Sequence, residues 1–203
     1  MNVGLLILGT ACSVFIAPIA AVALVNRVGA PTVAVSGRAA ALWAIMWRLV
    51  ALALAVATVV MALVLVTAPI SATLSAVASP YACLACATLA LAAWGAFSAC
   101  CFADPLDAAG YAVATASVVA FGVLVAGPVV SAAPTAAINA ALAASPLVAT
   151  ASAASFDLLR TDVLYRLSPI AHVRFDYPDW PASVTLYLLL AAAGFAAVGV
   201  TLT

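Results

Sequence analysis

The chain has no lysine and no glutamate. Its cations are six arginines, its acids are six aspartates, and it holds one histidine. Charged residues make up 6% of 203, where soluble domains carry about 25%. So little charge excludes a water-soluble globule, which could not cover its surface with what is here. The balance of arginine and aspartate leaves no net charge and no electrostatic footprint for nucleic acid. A lone histidine, His172, excludes a bis-histidine haem or a histidine-rich zinc site. No glycine-rich phosphate loop is present, so the chain does not hydrolyse ATP itself. No serine has a positioned base, and the apolar runs lack the carboxylates that an ion-coupled pump needs. No catalytic residue, metal or cofactor is therefore expected. The exclusive use of Arg and Asp, with abundant Ala, reads as a coding bias.

What is there is apolar: 69% of residues are hydrophobic and mean hydropathy is +1.34. The sequence predicts an all-α, polytopic integral membrane protein, a single transmembrane domain over 1–203. Apolar runs of about 20 residues, enough for one crossing each, lie at 1–25, 49–68, 81–102, 111–130 and 183–202. Basic residues follow the first run instead of preceding it, which predicts a retained span with its N-terminus outside. Pro69, Pro80, Pro105 and Pro181 fall near the ends of these runs, where a missing N–H matters least.

The run 134–155 is uncharged but rich in Ala, Ser and Thr, and Pro146 interrupts it. It reads either as a sixth crossing or as a re-entrant or surface-lying helix pair. Arg27, Arg38 and Arg48 cluster between the first two runs and put that loop in the cytoplasm. Taken alone, the same rule favours six crossings, which would bring every arginine inside.

Seven of the twelve charges sit within 155–180. Asp157 with Arg160, and Asp162 with Arg166, have helical pairing distances, and Phe156, Leu159, Val163 and Leu167 form an apolar stripe. That predicts an amphipathic helix at a membrane surface, with Tyr177 and Trp180 as interfacial anchors. In the first loop, Asn26 to Gly29 reads as a turn. Trp43 and Trp47, four apart, share one helical face bracketed by Arg38 and Arg48. This is either an interfacial lead-in to the second span or a docking element for a soluble partner.

The order of these parts resembles the membrane-spanning permease of type 2 ABC exporters. The resemblance rests on "RVGAPTVAVSGRAAALWAIMWRL", with Arg27, Gly29, Thr32, Ser36, Gly37 and Arg38; on "GAFSACCFADPLDAAGYA"; and on "YRLSPIAHVRFDYPDW" before the last span. Its motifs are degenerate, and the likeness is one of layout across most of the chain. It implies a coupling loop (Arg27, Gly29, Ser36, Gly37, Arg38, Trp43, Trp47, Arg48) that meets an ATP-binding cassette subunit. It also implies a second permease subunit, a homo- or heterodimer, and a pair of short outer helices between the last two spans. The outer region, with Asp157, Arg160, Asp162, Arg166 and His172, is then extracytoplasmic and the spans number five. The first span matches the family's second; the family's elbow helix and first span have no counterpart. The expected function is export of an apolar or amphipathic substrate across a bacterial inner membrane. The rival is a non-transporting assembly subunit of a larger membrane complex.

A third reading, a membrane thiol–disulfide oxidoreductase, rests on "CLAC", Cys83 and Cys86. It is the weakest, because no cation flanks the pair to lower a thiolate pKa. The small residues of "GAFSACC" and "AAAGFAAVG" suit close helix packing.

Overall fold

A computed structural model describes residues 2–67, 74–125, 133–161 and 176–201. Among them the ordered elements are all helices: α1 Val3–Ser36, α2 Arg38–Val66, α3 Leu74–Cys101, α4 Pro105–Val125, α5 Thr135–Ala144, α6 Pro146–Ala153 and α7 Trp180–Thr201. Five of them, α1 to α4 and α7, are long and apolar enough to cross a membrane. Even α4, the shortest of the five at 21 residues, measures about 31 Å, the thickness of a hydrocarbon core.

α3 is the hub. It packs against α1, α2, α4 and α7, and on α6 as well. Small residues make this crowding possible, because without a hydrophobic drive between helices in lipid, close backbone approach supplies the contact. Gly194 of α7 faces Ala93 of α3, Gly95 of α3 faces Pro18 of α1, and Gly9 of α1 faces Val60 of α2. Two of these glycines come from the small-residue phrases singled out in the sequence. α4 offers a stripe of alanines inward, Ala108, Ala112, Ala116 and Ala120. The outward faces carry Leu54, Val59, Leu63, Val118, Leu189 and other large apolar side chains that only lipid can cover.

Several buried hydroxyls are satisfied within their own helix, while the buried Ser183 hydroxyl of α7 has no partner among the described residues. Thr88 donates to the Leu84 carbonyl at 2.7 Å, and Ser98 to that of Trp94 at 3.0 Å. At the start of α4, Asp104 accepts a hydrogen bond from the Leu106 N–H at 2.8 Å, Pro105 fills the first helical position, and Asp107 sits in the first turn. These caps start α4 at Pro105, ahead of the expected 111.

Three other expectations need correction. Asn26 to Gly29 is no turn: α1 stays helical through Ser36, and the chain reverses at Gly37, whose φ of 80° suits a residue without a side chain. α2 starts at Arg38 and runs unbroken through Trp43, Trp47 and Arg48, so the helix expected from 49 begins eleven residues earlier. Pro80 lies inside α3 and is buried, because α3 begins at Leu74. In each case a polar or imino residue marked a lipid boundary or a lost hydrogen bond, and the backbone ladder continued past it.

Candidate functional site: a re-entrant hairpin over an apolar cavity

α5 and α6 meet at 84° across Ser145. The pair does not cross. Ala133, before α5, packs in the cluster of Val123 and Leu124 near the end of α4. At the far end, Ser79 near the start of α3 donates to the Ala153 carbonyl at 3.0 Å. Both ends of the hairpin thus lie on one face, with the beginnings of α1, α3 and α7. The Gly37 reversal and the α3–α4 turn lie on the other, where Gly199 of α7 approaches Leu42 of α2. The five-crossing reading of the sequence is the one this geometry matches.

Irregular backbone at membrane depth survives only inside protein, where its polar groups find partners. Leu147, Val148, Ala149, Thr150 and Ala151 of α6 are all buried. At the break, the Ser145 N–H donates to the Ala141 and Leu142 carbonyls, its carbonyl accepts from Ala149, and its hydroxyl donates to the Ala120 carbonyl of α4 at 2.8 Å. Tyr187 of α7, itself buried, donates its hydroxyl to the Ala143 carbonyl at 3.1 Å. The hairpin tip is therefore bolted to α4 on one side and α7 on the other.

Beneath the tip lies a cavity of about 450 Å³. α3 forms its back wall with Ala87, Ala90, Leu91, Trp94 and Phe97; α4 supplies Thr115, Ala116 and Val119; α7 supplies Leu190, Ala193 and Gly194; Ala144 and Pro146 roof it. Its few polar atoms are already engaged: the Trp94 indole N–H donates to the Thr115 hydroxyl at 2.6 Å, and Thr115 donates back along its own helix. Among the described residues, no charged side chain lines it. Val119 and Leu190 on its rims are exposed, so the cavity opens sideways between α4 and α7, toward lipid. Its size suits a small organic ligand, and its chemistry suits a neutral, apolar one.

The outer segments clamp the hairpin. Ser152 of α6 donates to the Pro178 carbonyl at 2.9 Å, and Asn139 of α5 accepts from the Asp176 N–H at 3.2 Å. Tyr177 donates its hydroxyl to Asp157 and accepts from the Leu159 N–H at 3.1 Å. Burial raises the Tyr177 phenol pKa, and the hydrogen bond to Asp157 adds to that. Tyr177 is half-buried against the Leu158 and Leu159 cluster, so it is a clamp and not the expected interfacial anchor. Trp180 is exposed, as an anchor should be.

The expected Asp157–Arg160 pair forms at 3.4 Å. Over the described part of the expected helix, 154–161 is instead a series of turns. Leu158 and Leu159 are both buried there. Asp162, Arg166 and His172 lie outside the described residues, as do Val163 and Leu167.

No family model, no curated protein and no solved structure matches the chain. Function has to be read from the geometry.

Of the expected coupling residues, Gly37 forms the reversal and Arg38 starts α2 beside it, while Gly29 and Ser36 lie in the last turns of α1. Trp43 and Trp47 are 65% and 63% exposed on one face of α2. Arg27 and Arg48 stand apart from Gly37 and line a shared groove. All five cysteines are free thiols, and Cys83 is buried behind the hairpin with Ala149, Ala153 and Tyr187. Sequence reasoning missed the cavity, since Trp94, Thr115 and Tyr187 share no motif or spacing.

Proposed function

We propose that the chain is the membrane-spanning subunit of an ABC exporter, moving a neutral, apolar or amphipathic substrate drawn laterally from the bilayer. The observation that carries this reading is the order of parts. A helix pair re-enters the membrane between the last two crossings, on the face opposite the arginine-flanked reversal at Gly37. An ATP-binding subunit engages Gly37 and Arg38 from the cytoplasm of a bacterial cell. A second permease subunit completes the path, and the cavity under Ser145 holds the substrate.

The charge-free cavity also fits the rival, a subunit that stabilises a larger membrane complex without transport. The two part on the partner. The test is purification of the full chain in mild detergent from its own cells. The transport reading expects a companion polypeptide with a GxxxxGK(S/T) loop and ATPase activity, released by Arg38→Glu while the variant keeps its thermal midpoint. A companion without nucleotide-binding capacity, or an ATPase that stays bound to the variant, overturns it.

A further inference from the structure

At the Gly37 face, a groove of about 430 Å³ is lined by Arg27 from the end of the first crossing and Arg48 from α2, over a floor of Ala20, Ala23 and Leu24. Both arginines are exposed, and neither has an ion pair or hydrogen bond among the described residues. Asp104, an acid on the same face, turns a carboxylate oxygen to the Leu106 N–H at the start of α4 instead. Two guanidinium groups without an acidic partner among the described residues, on one apolar-floored groove, attract an anion.

Depth says where that anion is. The uncharged remainder of α2, 49–66, measures about 27 Å at 1.5 Å per residue, close to the hydrocarbon thickness. The Arg48 backbone therefore sits at the edge of the hydrocarbon, with its side chain free to reach outward along the groove. Exposed Trp43 and Trp47 on the same helix mark the headgroup layer. The expected cytoplasmic loop with Arg27, Arg38 and Arg48 puts this face, with three arginines to two aspartates against three to four on the other, at the leaflet that carries anionic lipid.

We propose that Arg27 and Arg48 grip the phosphate of an anionic phospholipid, whose acyl chain lies over Ala20, Ala23 and Leu24. A guanidinium fork matches phosphate oxygens better than any other side chain does. The inference is independent of the transport reading. It also divides the expected coupling residues: Arg38 at the reversal is left for a soluble partner, and Arg27 and Arg48 belong to the membrane.

The test is native mass spectrometry of the full chain released from mixed micelles of phosphatidylglycerol and phosphatidylcholine. Phosphatidylglycerol should be retained in preference. Arg27→Gln and Arg48→Gln should each lower its retention about fivefold, and the double variant roughly twenty-five-fold, from the usual worth of one basic residue at an anionic surface. Lysine at both positions should restore most of it. Equal retention of the two lipids by the unaltered chain overturns the proposal and needs no variant to fold. So does displacement of the lipid by millimolar inorganic phosphate, which would assign the groove to a soluble anion. Unchanged lipid retention in the double variant, with loss of a bound protein, assigns the groove to that protein and equally overturns it.

Discussion

Gly95 of α3 lies so close to Pro18 of α1 that a Cβ on Gly95 would stand 2.5 Å from the Pro18 carbonyl oxygen. The helices touch backbone to backbone, and neither side can yield by rotating a side chain. Gly95→Ala should therefore cost about 1–3 kcal/mol of stability. Gly110→Ala, in a position open on all sides, should gain about 0.5–1 kcal/mol. Thermal unfolding of both variants in the same detergent checks the sign as well as the size.

The hairpin enters and leaves by one face, so single cysteines at Ser155 and Ala103, in a chain otherwise free of cysteine, should be labelled from opposite sides. An impermeant maleimide applied to sealed vesicles of known orientation reads this directly. Labelling of both from the same side would mean that 134–155 crosses after all.

Ser145 holds the hairpin tip to α4. Ser145→Ala removes that hydrogen bond but leaves the Ala120 carbonyl inside its own helix, so the cost should be modest, about 0.5–1.5 kcal/mol. Ala90→Phe should fill the cavity instead. Binding of a neutral apolar fluorophore should then fall by roughly tenfold, about 1.4 kcal/mol, with little change in thermal midpoint.

Tyr177 carries a pH dependence. Its pKa in the fold is raised above the ordinary 10.0, so the protonated phenol is the form the fold favours. Its stabilisation is complete below about pH 10 and is given up as pH climbs from there through the raised pKa. Absorbance titration at alkaline pH should show late tyrosine ionisation, and Tyr177→Phe should lower its amplitude by one tyrosine. The same variant should weaken the chain below pH 10, by about 1–3 kcal/mol for the Leu159 N–H left without its acceptor.

Cys83 and Cys86 should not form a disulfide. Residues three apart on a helix hold their Cβ atoms about 5–6 Å apart, and a disulfide needs roughly 3.5–4.5 Å. Mass spectrometry after mild oxidation should find both thiols free, and a Cys83→Ala, Cys86→Ala chain should keep its stability. A bridged peptide would revive the redox reading.

The sequence alone determined the solvent. With no lysine, no glutamate and charge gathered at few places, only lipid could surround these helices, and the five long runs followed from length and hydropathy. The exposed pair Trp43 and Trp47, the Asp157–Arg160 contact and the packing glycines Gly95 and Gly194 were also legible, because each depends on neighbours within a turn or on residue size. Helix ends were less so. Arg48 and Pro80 marked changes of environment, whereas a helix ends where its backbone bonds stop.

Only the tertiary structure decided that α5 and α6 turn back. Both readings of 134–155 have the same hydropathy, and the choice rests on Ser79 reaching Ala153 and Tyr187 reaching Ala143, partners 74 and 44 residues apart. The cavity, and the groove that Arg27 and Arg48 both line, belong to the same class. They exist because α3 gathers four other crossings around small residues, and no local pattern in the chain encodes which gaps that packing leaves.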